Sequence, residues 1–319
     1  MKLSFSARNS IVAILFLAVT SLVQPAQAAE KMTVLLDWLV NPDHAPLIIA
    51  QEKGFFRDAG LDVKLIAPAD PNDPPKLVAA GKADIAVSYQ PQLYTQVDQG
   101  LPLVRIATLV ATPLNSLVVL KNGPIKSIAD LKGKKVGYSI GGFEDAILAK
   151  MLEKAGLSLA DVTLVNVNFS LSPSLISGQV DAVIGAFRNF ELNQMDIVGK
   201  PGRAFYPEEE GVPPYDELIL VANKASLNDG RLRRFVDALE KATQYIVNHP
   251  DESWKLFIAA HADLNDELNK RAWRDTLPRL ALRPAALDRA RYERFAKFMK
   301  NRKLIKKISP LGTYAVELP

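Results

Sequence analysis

One pattern occurs twice in this chain and limits its folding choices more than any other feature. FFRDAGLDVKLI (Phe55 to Ile66) and MLEKAGLSLADVTLVNV (Met151 to Val167) each read as the end of an amphipathic helix, an Ala-Gly-Leu stop and a β-branched strand. Gly60 and Gly156 suit the left-handed position that ends a helix. Downstream, LVAAGKADIAVS (Leu77 to Ser88) parallels LISGQVDAVIGA (Leu175 to Ala186), sharing Leu, Gly-x-x-Asp and an apolar strand. Gly60 to Gly81 is 21 positions and Gly156 to Gly178 is 22. Each copy opens with a strand, TVLLDW from Thr33 and KKVGYSI from Lys134. Gly-x-x-Asp alone is an ordinary helix-to-strand turn. Two copies at matched distances from the same stop predict two similar lobes.

Alternating strands and helices of this length imply parallel sheets, so the expected fold is α/β with two lobes, each a largely parallel sheet flanked by helices. NSLVVLKN (Asn115 to Asn122) and DELILVANK (Asp216 to Lys224) are the expected hinge crossings. Two crossings make the first lobe discontinuous: residues 29–117, then lobe two over 118–220, then a helical return over 221–319. The return shows apolar residues at helical spacing in Gly230 to Pro250 and Asp251 to Leu264. In parallel α/β sheets, ligands sit outside the carboxyl ends of the strands. With two such lobes facing each other, the ligand lies between them.

The amino-terminal residues carry a different message. Lys2 and Arg8, the apolar run Ile11 to Val19 and the small residues of Ala26-Gln27-Ala28 form a three-part export signal, with cleavage expected after Ala28. The core is short for a membrane anchor, which is the alternative. Removing residues 1–28 lowers the formal charge from +4 to +2 by deleting Lys2 and Arg8, and leaves no basic excess that calls for nucleic acid. The chain has no cysteine, which excludes disulfides, a thiolate nucleophile, cysteine-ligated metal and lipid attachment through cysteine. A monomer free in the periplasm, with no membrane anchor, metal or cofactor, is expected.

Candidate binding residues cluster at the predicted strand ends. In DWLVNPDHAP, Trp38 offers a flat wall for a heteroaromatic ring or a core packing group. Asp37 can accept a ring amino proton or fasten the turn. Asn41 and His44 can each give and take a hydrogen bond, although a lone histidine is more often structural. Tyr89 and Gln90 end the strand IAVSYQ and point at the same crevice. Across it, Gly141 and Gly142 either admit close backbone approach or form a simple turn. Glu191, in FRNFEL after the strand VIGAF, is either a ligand carboxylate or a salt-bridge partner of Arg188. Asn189 and Tyr215 are lesser candidates, and the run Glu208-Glu209-Glu210 reads as a solvated face. His249 and His261 lack neighbours at metal-ligand spacing and read as structural.

Between about Lys31 and Lys224 the chain resembles the substrate-binding proteins of ABC transporters with the type II periplasmic fold, in the NMT1/THI5-like, ThiY-like branch. The residues that carry the likeness are DWLVNPDHAPLIIAQEKGFFRDAGLDVKL, AAGKADIAVSYQPQL, IADLKGKKVGYSIGG, SGQVDAVIGAFRNFELNQMDIVGKP and YPEEEGVPPYDELILVANK. The resemblance implies capture of a thiamin pyrimidine precursor, of formylaminopyrimidine or hydroxymethylpyrimidine type, for delivery to ABC permease subunits. It favours Glu191, Trp38, Asn41 and His44 as ligand residues. Two other readings stay open. One is a type II binder for a flavin, sulfonate or nitrate. The other is a pyrimidine-making enzyme, whose eukaryotic members carry a cysteine-rich motif that this chain lacks.

Overall fold

The computed structural model describes Met1 and residues 28–318, and the interior of the expected export signal lies outside the described residues. The first unit runs β1 (Glu30–Leu35), α1 (Ala45–Glu52), α2 (Phe55–Asp58), β2 (Leu61–Ile66), α3 (Pro74–Ala79), β3 (Ile85–Ser88), α4 (Gln90–Asp98) and β4 (Leu103–Val110). The second runs β5 (Asn115–Leu120), β6 (Lys135–Tyr138), α5 (Glu144–Lys154), β7 (Thr163–Asn166), α6 (Leu171–Ile176), β8 (Ala182–Phe187), α7 (Glu191–Ile197) and β9 (Gly202–Phe205). The chain then returns as β10 (Leu218–Asn223), α8 (Gly230–Asn248), α9 (Pro250–Ala260), α10 (Glu267–Thr276) and α11 (Arg289–Asn301). The punctuating glycines share one backbone conformation, with φ of +74° at Gly60, +70° at Gly81, +74° at Gly156 and +76° at Gly178. A side chain is strained there, so glycine ends each helix.

The repeat resolves into two five-stranded sheets of matching order, β2-β1-β3-β10-β4 and β7-β6-β8-β5-β9. The expected parallel sheets are mixed. β1 pairs in parallel with β2 and β3, and β6 with β7 and β8, but β10 and β5 run antiparallel to both of their neighbours. Those two strands are the stretches expected as hinge crossings. Their near-complete apolar burial fits the inside of a sheet, and the chain crosses just ahead of each, in 111–114 and 206–217. Each lobe is thus completed by a strand that follows a crossing.

Glu217 ties the crossings together. Its buried Oε2 accepts the backbone N–H of Leu114 at 2.6 Å and of Asn115 at 2.9 Å. The returning helices then pack lobe one. Leu232, Phe235, Val236, Leu239 and Ile246 form the buried stripe of α8, which lies on α1 and α2. Arg105 of β4, fully buried, donates to the carbonyls of Pro284, Ala285, Ala286 and Val316 and to Thr108 Oγ1. A buried guanidinium needs such acceptors, and here they anchor the last segment of the chain to the sheet.

Candidate functional site

The loop after β1 is built from its own polar groups. Tyr89 donates its hydroxyl to Asp37 Oδ2 at 2.7 Å, and His44 Nε2 lies 2.9 Å from Asp37 Oδ1. His44 Nδ1 accepts the N–H of Asn41 at 3.3 Å, which assigns the ring proton to Nε2 and makes that nitrogen the donor to Asp37. Asn41 Oδ1 accepts from the N–H of Asp43 at 2.8 Å, and its Nδ2 donates to Leu39 O at 3.1 Å. Pro42 opens the short turn that leads into α1. Both oxygens of Asp37 and both nitrogens of His44 are therefore engaged, and this holds the crevice-facing edge of the loop in one shape.

Lobe two presents the same device twice. A Phe-Glu pair opens α5 as Phe143-Glu144 and α7 as Phe190-Glu191. The two phenylalanines share a backbone conformation, φ −121° and ψ −61° at Phe143 against φ −119° and ψ −66° at Phe190. Each glutamate folds back on the end of the preceding strand. Glu144 Oε2 accepts the N–H of Ser139 at 2.7 Å, and Glu191 Oε2 accepts the N–H of Phe187 at 2.6 Å. Glu191 has no bond to Arg188, whose guanidinium forks onto Glu208 at 2.6 and 3.0 Å. The acidic run is correspondingly less solvated than expected, since Glu210 also pairs with Lys154 at 3.0 Å.

These parts meet in a cleft lined from lobe one by Asp37, Trp38, Asn41, Asp43, Tyr89 and Leu218. Lobe two contributes Glu144, Leu171, Gly185, Phe187, Phe190 and Glu191. Four carboxyl side chains and four aromatic rings face one space, and no lysine or arginine is among the lining residues. Burial disfavours the charged form of an acid. It pushes Glu144 up to about 8, Glu191 up to about 7 and Asp43 up to about 6, against opposing pulls from backbone N–H groups for the glutamates and from Thr276 for Asp43. Such a site favours a ligand that brings positive charge or N–H donors, with flat faces for the rings.

The lobes are closed on one another. Asn189 Nδ2 donates to Asp43 Oδ1 at 2.6 Å and lies 2.8 Å from Thr276 Oγ1, which also bonds Asp43 at 2.8 Å. Asn72 bridges to Ser139 O at 3.1 Å and to the N–H of Gly141 at 3.2 Å. Trp38 sets its ring edge-on to Phe169 with centroids 4.6 Å apart, and Tyr89 stacks on Phe143 at 5.1 Å. Of the residues expected at the site, Asp37, Trp38, Asn41, Tyr89 and Glu191 line the cleft. The others lie elsewhere: His44 behind Asp37, Asn189 in the clasp, and Gly141 and Gly142 exposed at the lobe interface beside Asn72. Tyr215 is buried against Phe143 and Phe295, and Gln90 turns to the backbone of Asp216. Asp43, Glu144, Leu171, Gly185, Phe187, Phe190 and Leu218 are the lining residues that strand-end reasoning missed. The second Phe-Glu was the available signal for Glu144. Among the described residues no cluster of histidine and acids could hold a metal ion.

The chain is 59% identical over 295 residues to a Haemophilus influenzae protein provisionally named for thiamine biosynthesis, covering 92% of this chain and 94% of that one. It is 36% identical over 266 residues to the formylaminopyrimidine-binding protein of Halalkalibacterium halodurans, covering 82% and 81%. A 4-amino-5-hydroxymethyl-2-methylpyrimidine phosphate synthase of Saccharomyces cerevisiae is 28% identical over 254 residues, covering 76% and 74%. Among solved structures, the alkanesulfonate-binding protein of Xanthomonas axonopodis pv. citri superposes with a TM-score of 0.70 at 15% identity over 91% of this chain and 99% of that one, which speaks for the fold alone. The sequence profile of the family described as NMT1/THI5 like matches residues 41–253. The protein belongs to the NMT1/THI5-like family, built on the two-lobed type II fold of periplasmic binding proteins.

Proposed function

We propose that the protein is the solute-binding component of an ABC importer that captures a thiamin pyrimidine precursor of the formylaminopyrimidine type by closing its two lobes. One observation carries the reading: the cleft pairs an acid-rich polar lining with aromatic walls. An aminopyrimidine supplies N–H donors and a basic ring nitrogen for the carboxyls, and two flat faces for Trp38 and the phenylalanines. A sulfonate or nitrate would instead meet Asp37, Asp43, Glu144 and Glu191, with no lysine or arginine in the lining to pair with its charge. The same acids disfavour a phosphorylated pyrimidine or pyridoxal phosphate, and the lining holds no lysine for a cofactor linkage. The residues present therefore do not fit the synthase chemistry for which the yeast relative is named, and a carrier without catalysis is the better match.

Such a carrier works by differential affinity: the ligand bonds to both lobes and so shifts the protein towards the closed state. It would act as a monomer in the periplasm and hand its ligand to permease subunits. Among the described residues no helix is long and apolar enough to cross a membrane. Calorimetric titration with formylaminopyrimidine, an alkanesulfonate and nitrate tests the reading, supported by mass spectrometry of small molecules that copurify with the native protein. Saturable binding of the pyrimidine and silence with both anions are expected. Binding of an anion with no response to the pyrimidine would overturn it.

A further inference from the structure

The duplicated Phe-Glu device asks for an explanation that one ligand carboxylate does not supply. Glu144 was built to the same plan as Glu191: the same cap geometry, the same fold-back onto a strand-end N–H, and the same cleft. Their strands, β6 and β8, are neighbours in the sheet. The Glu144 carboxyl, like that of Glu191, is buried and lines the cleft.

The seat of Glu144 is specific. Gly185 sits in the middle of β8 with φ of +96° and leaves its α-carbon bare beneath the carboxyl. A Cβ added there would lie 2.3 Å from Glu144 Oε1 and 2.6 Å from Oε2. Gly185 is pinned in turn by Asn115, whose Oδ1 accepts its N–H at 3.0 Å. A strand interior disfavours glycine unless backbone and another group must approach closely. Here the approaching group is a carboxyl aimed into the cleft. Resting on the pyrimidine-carrier reading, we propose that Glu144 is a specificity residue: its carboxyl, seated on Gly185, donates a hydrogen bond to an acceptor on the heterocycle while Glu191 accepts from the amino edge. Two carboxyls of one cleft thus take opposite hydrogen-bonding roles. Burial, with Glu217 and Asp145 nearby, pushes Glu144 up to about 8 and favours the neutral, proton-bearing form that donation needs. The matching ligand class carries an N–H donor edge beside a ring nitrogen or carbonyl acceptor, and a heterocycle with donors only is rejected because the Glu144 proton is left unpaired.

Calorimetric titration of wild type, Glu144→Leu and Glu144→Gln with formylaminopyrimidine tests this. Glu144→Leu is expected to bind at least about tenfold more weakly, and Glu144→Gln, which keeps a donor, to recover most of that loss. Equal affinity in Glu144→Leu, or a Glu144→Gln as weak as Glu144→Leu, would overturn the donor role. Infrared difference spectra of the unmutated protein guard against misfolded variants. A protonated-carboxyl band absent from Glu144→Gln should shift to lower frequency when the pyrimidine binds, and a band that stays put counts against the proposal. Wild type that fails to bind the pyrimidine removes the carrier reading and this proposal with it. Wild-type binding beside an unaffected Glu144→Leu removes this proposal alone.

Discussion

Asn189→Ala offers a clean probe of lobe closure, because Asn189 belongs to lobe two and its amide reaches Asp43 and Thr276, which both belong to lobe one. Asp43 and Thr276 also bond to each other within lobe one, so the change deletes the bonds that cross between the lobes. With Asp43 at about 6, most of it is ionised at neutral pH, and a hydrogen bond to a charged group is worth about 1.5–3 kcal/mol. Apparent affinity scales with the population of the binding-competent state. If the free protein is mainly open, losing that bond lowers affinity by roughly 10- to 150-fold although Asn189 does not line the cleft. The assays are calorimetric titration with the pyrimidine and small-angle scattering of the ligand-free and ligand-saturated variant. The expected result is weaker binding, a ligand-free thermal midpoint near that of wild type, and a compact form reached only at higher ligand concentration. Wild-type affinity in Asn189→Ala would refute the reasoning and reduce the clasp to a passive contact.

Glu191→Gln keeps its shape but places a donor where an acceptor is needed; it should bind the pyrimidine at least about tenfold more weakly with an unchanged ligand-free midpoint. Arg188 already pairs with Glu208, so a lowered midpoint with intact affinity would mean that Glu191 serves the fold. Trp38→Ala should remove most of the tryptophan fluorescence change on ligand addition. Trp254 and Trp273 pack edge to face at 5.4 Å in the carboxyl-terminal helices, away from the cleft lining, and a response retained in Trp38→Ala would argue against a wall role. Stability should fall as pH rises. Burial holds Glu144 at about 8, and Glu191 and Glu217 at about 7, against 4.5 for a free side chain, so the folded protein keeps protons that the unfolded chain has released. The penalty is absent below the unfolded value, grows through this window and levels off above the folded values. Glu144→Gln should therefore raise the melting temperature at high pH and leave it nearly unchanged in acid. An equal effect at both extremes would contradict the assignment.

The lobes were legible because their punctuation is local. Glycine at Gly60, Gly81, Gly156 and Gly178 answers to a backbone angle that a single sequence reveals. The direction of β5 and β10 was not, since their apolar residues suit any buried strand and only the pairing partner sets parallel or antiparallel. Both Trp38 and Glu191 line the cleft: Trp38 was expected there from its position after a strand, a property of chain order, and Glu191 mainly from the family resemblance. Asp43 and Asn189 escaped correct placement because their roles exist only across the closed cleft, between residues 146 positions apart. Glu144 stood in plain view beside two glycines, yet its seat depends on the bare α-carbon of Gly185, which no pattern near Glu144 announces.

The strand that returns from the second crossing fixes an order of assembly. Lobe two is one uninterrupted stretch whose first and last strands, β5 and β9, already pair, Leu117 lying opposite Phe205. Lobe one has a gap between β3 and β4 until β10 arrives, and Leu218 must find Val110 across the whole of lobe two. Closing a flexible loop of roughly a hundred residues costs about 4 kcal/mol in the logarithmic chain model, and one of roughly twenty costs about 1.5 kcal/mol less. A folded lobe two brings its own ends together and turns the longer search into the shorter one. Residues 111–217 should therefore gain protection from hydrogen exchange first during refolding. The β3–β10–β4 core should follow, and a chain cut before Leu218 should keep an ordered second lobe beside an unfinished first.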